Sequence, residues 1–191
     1  MNSTIKYFIR EGVPITFIAI YFVGLALYFL PLTRNLFILI KPYTLVLVTV
    51  VIFSHHKEWN AKTIAVLASI FIISFVVEII GVATGALFGE YEYGKGLGVK
   101  IADVPIVIGL NWIFLVYASN GIISKYTSNN ILIIVGAAAL MVVYDIVMEK
   151  AAPLMDMWVF AENNPPVNNY IMWFLLALLF NILLQIFKVR T

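Results

Sequence analysis

Residues 78–112 read EIIGVATGALFGEYEYGKGLGVKIADVPIVIGLNW. The stretch begins inside a long apolar run, leaves it through a glycine-rich, acidic loop, and then enters another apolar run. Gly81, Gly85 and Gly89 recur at every fourth residue, and Glu78 lies three residues before the first of them. A continuous helix would place these positions on one face, because residues four apart lie above one another. The pattern therefore predicts a carboxyl group beside a groove without side chains.

This carboxyl group is the first functional candidate. Small residues four apart often do no more than let another helix approach closely, which is the simpler explanation of any one glycine. An acid at membrane depth is different, because burying it costs about 3 kcal/mol even on insertion scales, and such residues are usually functional. We therefore treat Glu78 as a candidate catalytic residue.

Composition identifies the class of protein. The chain has 191 residues, of which 63% are hydrophobic and 12% charged, and its mean hydropathy is +1.01. Such values exclude an ordinary soluble domain and predict an integral membrane protein. The net charge of +2 is too small to indicate a nucleic-acid partner, and the absence of cysteine excludes disulfides and thiolate metal sites.

The hydrophobic pattern predicts the fold. Six apolar runs are each near the roughly 20 residues that a helix needs to cross a bilayer. They cover about residues 14–31, 35–53, 61–88, 104–120, 130–149 and 169–187. We therefore predict an all-α, polytopic membrane helix bundle of about six transmembrane helices, forming a single integral membrane domain over residues 1–191.

An even number of helices predicts the topology. It places both termini on one side of the membrane and the two loops 89–103 and 150–168 together on the other side. Lys and Arg residues, Lys6 and Arg10 among them, are slightly more numerous on the side of the termini. The positive-inside rule then predicts cytoplasmic termini.

Acidic residues are concentrated toward the two loops. Glu78 and Asp145 fall at similar depths, because the third and fifth helices run in the same direction. Further polar and aromatic residues belong to the same side, so we predict a pocket whose mouth lies on that face. The candidate lining residues beside the two acids are Asp103, Glu149, Tyr91, Tyr93, Trp112, Tyr144, Trp158 and Asn168. Lys41, Asn169, Tyr170 and Trp173 are predicted on the same side. Simpler explanations are that the Tyr and Trp side chains form an interfacial belt and that Asp145 and Glu149 are structural.

Several ordered blocks carry a family resemblance. They are EIIGVATGALFGEYEYGKGLG from Glu78, VPIVIGLNW from Val104, YDIVMEKAA from Tyr144, and a later W-x-F followed by PPVNNYIMW. Together they resemble the carotenoid biosynthesis membrane-protein family, whose characterised members include carotenoid 1,2-hydratases and bisanhydrobacterioruberin hydratase. The resemblance covers the chain from about Glu78 to Trp173. We expect the protein to lie in the cell membrane of a prokaryote.

The resemblance implies a hydratase that adds water to the terminal C=C of an acyclic carotenoid end group and gives a tertiary alcohol. Such a reaction needs a carboxylic acid to protonate the alkene, electron-rich rings beside the cation, and a held water molecule. It requires no metal or redox cofactor, and its partners are a hydrophobic carotenoid and membrane lipid. We expect Asp145 to be the acid and Glu78 to orient water, although the two roles could be reversed. The remaining candidates are Asp103 and Glu149 as acid or base, Tyr91, Tyr93, Trp112, Tyr144 and Trp158 beside the cation, Asn168 at the water, and Gly81 and Gly85 in the substrate groove.

Three alternatives stay open on the sequence. A membrane carotenoid cyclase would begin with the same protonation and end with ring closure. A prenyltransferase would bind magnesium diphosphate, and the D-x-x-x-E pattern of Asp145 and Glu149 resembles half of one of its motifs. A lipid or pigment binder, or a small transporter, would use the same pocket without chemistry.

Overall fold

A computed structural model describes residues 13–191 of the chain. Within these residues, five helices are long and apolar enough to cross a membrane, and a sixth, the first of those described, is shorter. The all-α membrane bundle predicted from the hydrophobic pattern is thereby confirmed. The helices are α1 (Val13–Phe29), α2 (Arg34–Ser54), α3 (Ala61–Thr84), α4 (Val107–Ser124), α5 (Asn130–Ala151) and α6 (Val167–Ile186). The basic residues Lys6 and Arg10, used for the predicted orientation, lie outside the described residues.

The chain divides into two compact units, Met1–Lys41 and Pro42–Thr191. In the first unit, the rings of Tyr28 and Phe37 are 5.5 Å apart, so α1 packs on the beginning of α2. In the second unit, α4, α5 and α6 pack on one another, and α4 and α6 also pack on α3, around fully buried side chains such as Trp112 and Phe180. The prediction of a single domain over the whole chain stays a prediction.

Helix α3 ends earlier than the apolar run predicts. Gly85 has φ +64°, and its N–H donates to the Gly81 carbonyl at 2.8 Å, so Gly85 terminates the helix in the left-handed conformation that glycine adopts easily. Gly89 also has positive φ and lies in the following loop. The prediction that Gly81, Gly85 and Gly89 share one helix face is therefore wrong, because the helix stops at the second glycine.

The two predicted loops are joined by a short sheet. Strand β1 (Tyr91–Tyr93) follows α3, and strand β4 (Trp158–Phe160) follows α5. They pair antiparallel, with Glu92 opposite Val159. The loops 89–103 and 150–168 therefore lie together, as predicted.

A glycine permits the close approach of the two loops. The N–H of Gly94 donates to the Met157 carbonyl at 2.8 Å. A Cβ atom at Gly94 would lie 2.5 Å from the backbone oxygen of Asp156, closer than real Cβ contacts occur. Gly94 thus lets β1 and β4 pair tightly over the ends of α3 and α5.

A second hairpin sets the start of α4. Strand β2 (Lys100–Ile101) pairs antiparallel with β3 (Val104–Pro105). Residues 104 and 105, predicted as the beginning of the fourth helix, are thereby held extended. Helix α4 begins at Val107 instead.

Candidate active site

Glu78 lies near the C-terminal end of α3 and is buried, with 4% of its surface exposed. Its carboxyl group accepts three hydrogen bonds. The hydroxyls of Tyr91 and Tyr93 donate to Oε2 at 2.6 and 2.8 Å, and the indole Nε1 of Trp112 donates to Oε1 at 3.0 Å. Strand β1 contributes both tyrosines and α4 contributes the tryptophan, so three separate elements meet at this one acid.

Asp145 and Glu149 form a second acidic group. They lie four residues apart on one face of α5, and both are buried. The side-chain amide of Asn169, on α6, donates through Nδ2 to Asp145 Oδ2 at 2.8 Å and to Glu149 Oε1 at 3.4 Å. Trp158 Nε1, on β4, donates to Glu149 Oε2 at 3.1 Å. One amide therefore bridges the two carboxyl groups.

Asp145 has one oxygen atom without a partner. Its side chain is fully buried, and Oδ1 makes no hydrogen bond to any residue that the structure describes. A buried polar atom that lacks a partner costs about 1–3 kcal/mol, so such atoms need an explanation. A bound water or a substrate would provide one.

All three acids line a single cavity. The volume available to the centres of water molecules is about 30 Å³. The total empty volume, including the open mouth, is about 390 Å³. On the first measure it holds about two water molecules. Its lining residues are Glu78, Phe88, Tyr91, Tyr93, Ile108, Asn111, Trp112, Asp145, Glu149, Trp158, Phe160, Asn169 and Trp173.

Aromatic rings form much of the cavity wall. Trp112 and Trp173 stack with ring centroids 4.4 Å apart. Tyr91 and Tyr93 meet edge to face at 5.5 Å, and Tyr93 meets Trp158 in the same way at 6.3 Å. The acids are thus surrounded by large, electron-rich side chains.

The tyrosine hydroxyls that contact Glu78 stay protonated. Burial, followed by the negative charge of Glu78, raises the pKa of both Tyr91 and Tyr93 above the ordinary value. The neutral phenol is the form that donates a hydrogen bond. Both residues therefore remain donors to Glu78 well into the alkaline range.

Three predicted site residues lie away from the cavity. Asp103 is exposed at the turn between β2 and β3, with φ +64°. Asn168 is exposed, whereas the next residue, Asn169, is buried at the acids, because a step of one residue turns a helix by about 100°. Tyr144 is 37% exposed for the same reason, since it directly precedes the buried Asp145.

Neither of the two glycines predicted for the substrate groove lines the cavity. A Cβ atom at Gly81 would lie 2.5 Å from the ring of Phe88 and 3.3 Å from the Tyr91 hydroxyl. At Gly85 it would lie 2.8 Å from Glu90 Cγ. Both glycines therefore make room for the chain's own loop.

The sequence places Asn169 and Trp173 on the pocket side but assigns neither a role, and it does not predict the lining residues Phe88, Ile108, Asn111 and Phe160. Asn169 was visible as half of an Asn-Asn pair at a predicted helix start, but its orientation depends on where α6 begins. Trp173 lies one helical turn further along, on the same face as Asn169. Among residues 13–191, no group of three or more His, Cys, Asp or Glu residues is arranged to hold a metal ion.

The fold and the site thus describe an integral membrane protein with three buried acids in an aromatic cavity. Residues 35–191 match the model of a family described as carotenoid biosynthesis protein. The match spans most of the chain, and the protein belongs to this family. Membership supports an enzymatic role in carotenoid biosynthesis, as the resemblance implied. No curated protein and no solved structure matches the chain.

Proposed function

We propose that the protein is a carotenoid hydratase. In this proposal it adds water across the terminal C=C of an acyclic carotenoid end group and forms a tertiary alcohol. Family membership supports the substrate class, because carotenoids are hydrophobic and partition into the membrane that the helices cross. The reaction itself is inferred from the chemistry that the cavity offers.

The observation that carries the proposal is the unpartnered Oδ1 of Asp145 in a cavity with two further carboxyl groups. A general acid must place an O–H where the substrate can reach it, without losing that hydrogen to a protein acceptor. Within the described residues, Oδ1 has no such acceptor. Asp145 therefore suits the role of acid better than Glu78, whose two oxygens already receive three hydrogen bonds.

The proposed reaction has two steps, protonation of the alkene and capture of the cation by water. Asp145 transfers its proton to the CH carbon of the terminal double bond, the π electrons form the new C–H bond, and the other carbon becomes a tertiary cation. A water oxygen forms a C–O bond to that cation, and Glu149 takes a proton from the same oxygen. This proton returns to Asp145 through water in the cavity. The sum is alkene plus water to alcohol, without oxidation or reduction.

The cavity wall suits the cationic intermediate. Aromatic faces attract cations, and Trp112, Trp158 and Trp173 all line the cavity. Glu78, as a carboxylate held by Tyr91 and Tyr93, adds a fixed negative charge that does not need to reorganise during the reaction. In this assignment Glu78 stabilises charge, and Glu149 is the base.

Water capture also fits the size of the cavity. The space open to water centres accommodates about two water molecules beside the acids. One of them would be the nucleophile and the other would return the proton. The carotenoid end group would enter through the open mouth, which is included in the 390 Å³.

The deciding experiment uses the purified protein in lipid vesicles that contain an acyclic carotene, without oxygen, nicotinamide cofactor or added metal. We expect a product heavier by one water molecule, which carries the isotope when the reaction is run in H₂¹⁸O. A cyclised isomer of unchanged mass would assign the protein to the cyclases, and an elongated product to the prenyltransferases. Binding without turnover would leave a pigment binder or transporter. Each of these three results would overturn the hydratase proposal.

A further inference from the structure

We propose that Asn169 is a positioning residue that keeps the acid proton of Asp145 on Oδ1. This inference rests on the proposed function, because a general acid carries its proton before the reaction begins. Asn169 belongs to α6, whereas Asp145 and Glu149 belong to α5. The two helices are in extensive contact, and Asn169 is buried, with 2% of its surface exposed.

The hydrogen bonds of Asn169 to the two acids have a fixed direction. The amide nitrogen of Asn169 can only donate, and it has two hydrogens. Its contacts are Asp145 Oδ2 at 2.8 Å and Glu149 Oε1 at 3.4 Å. Both oxygens must therefore act as acceptors. The carbonyl oxygen of a neutral carboxylic acid is a better acceptor than its hydroxyl oxygen, so the contact at Oδ2 favours the proton of neutral Asp145 on Oδ1.

The same contacts keep the proton available. Two carboxyl groups on adjacent turns of a helix can share a single proton between them, and a shared proton is held by both. In this protein the amide of Asn169 already donates to one oxygen of each acid, Asp145 Oδ2 and Glu149 Oε1, which leaves these two oxygens less available to share a proton. The remaining oxygen, Oδ1, has no partner in the described part of the chain and belongs to a cavity residue. Asn169 thereby directs the proton of Asp145 toward the substrate.

The test removes the donor and leaves the neighbouring amide as a control. Asn169→Leu keeps the approximate side-chain volume but has no donor, and Asn169→Asp keeps the shape but replaces the two N–H groups by a carboxyl group with at most one O–H. We expect either variant to lower kcat about 10- to 100-fold, the loss typical of outer groups that orient a reacting one, with little change in KM. Asn168→Leu makes a comparable change at the exposed neighbouring position, and kcat should stay within about twofold of the original.

A spectroscopic signal separates positioning from folding. The infrared spectrum of the unsubstituted protein minus that of Asp145→Asn identifies the C=O stretching band of protonated Asp145, because only the first protein has that group. Losing the hydrogen bond from Asn169 to Oδ2 should move this band to higher frequency in Asn169→Leu, whereas Asn168→Leu should leave it in place. An unchanged band, or nearly normal kcat in both Asn169 variants, would overturn the inference.

The two proposals can fail separately. If the unsubstituted protein adds water to the carotene but the band does not move in Asn169→Leu, the role of Asn169 is wrong and the hydratase stands. If the band moves but no water is added to any acyclic carotene, the hydratase is wrong and the placement of the Asp145 proton stands.

Discussion

Trp112 donates its indole N–H to Oε1 of Glu78 across the packed helices α3 and α4, at 3.0 Å. Together with the two tyrosine hydroxyls, this contact gives Glu78 donors at both oxygens. Asp145 contrasts with it, since only one of its oxygens has a partner within the described residues. Both oxygens of Glu78 thus accept hydrogen bonds, whereas only one oxygen of Asp145 does so within the described residues. Substitutions of the two acids should therefore have different effects.

The first prediction concerns Asp145. Replacing it by asparagine keeps the size and the polar character of the side chain but removes the transferable proton. General acid catalysis typically contributes about 10² to 10⁴-fold, and we expect a loss of turnover near the upper end. Water addition to the carotene in vesicles measures it, with Asp103→Asn as the control, because Asp103 is an exposed acid away from the cavity. Comparable rates in the two variants would remove Asp145 from the mechanism.

The second prediction concerns the tyrosines at Glu78. Tyr93→Phe leaves the ring in place but deletes the 2.8 Å hydrogen bond to Oε2. Hydrogen bonds to charged groups contribute about 1.5–3 kcal/mol, so we expect the free energy of unfolding to fall by that amount. Unfolding in mixed micelles with increasing denaturing detergent measures the change. Tyr126→Phe serves as the control, because Tyr126 is 84% exposed, and an equal loss there would contradict the prediction.

The third prediction concerns pH. Because burial raises the pKa of Tyr91 and Tyr93, their stabilising effect is fully present below about pH 10, the ordinary value for tyrosine, and is lost only as the pH rises through the higher folded-state pKa. Tyrosinate absorbance of the folded protein should therefore be the same with and without Tyr93→Phe up to about pH 11. A difference of one tyrosine should appear once alkali unfolds the chain. A difference near pH 10 in the folded protein would show that Tyr93 is accessible.

The fourth prediction concerns the paired loops. The chain contains no cysteine, so any disulfide within it must join the two cysteines that are introduced by substitution. Glu92→Cys combined with Val159→Cys should form a disulfide readily, because these residues are opposite one another on β1 and β4. Glu92→Cys combined with Leu132→Cys should not, since Leu132 lies near the other end of α5. Mobility in gel electrophoresis without reductant distinguishes the outcomes, and rapid bridging of the second pair would contradict the loop arrangement.

The sequence predicts the helices well, because membrane spans are long apolar runs and their ends are marked by polar or glycine residues. It also predicts the convergence of Glu78, Asp145 and Glu149, since helices that run in the same direction place their ends on the same side. These predictions depend on length and direction alone. They do not require knowledge of which way a side chain points.

The sequence does not predict the direction in which individual helical side chains point. Asn168 and Asn169 are chemically identical, and only the start of α6 at Val167 decides which of them meets the acids. The end of α3 at Gly85 is a similar case, because every fourth residue remains glycine beyond the point where the helix stops. A shift of one residue turns a helical side chain by about 100°, which is more than a hydrophobic pattern can resolve.

The pairing of β1 with β4 has a consequence for biogenesis. Glu78 meets Tyr91, Tyr93 and Trp112 within a short span of chain, so its hydrogen bonds can form soon after α3 and α4 have entered the membrane. Asp145 must wait for Asn169, and β1 must wait for β4. At about 5–20 residues per second, synthesis from residue 112 to residue 169 takes roughly 3 to 11 seconds. During that time the hydrogen bonds of Glu78 can be in place, whereas Asp145 lacks its partner Asn169 and β1 lacks its partner strand β4. The last helix therefore completes the site, and we expect a chain that ends before α6 to insert into the membrane but to lack activity.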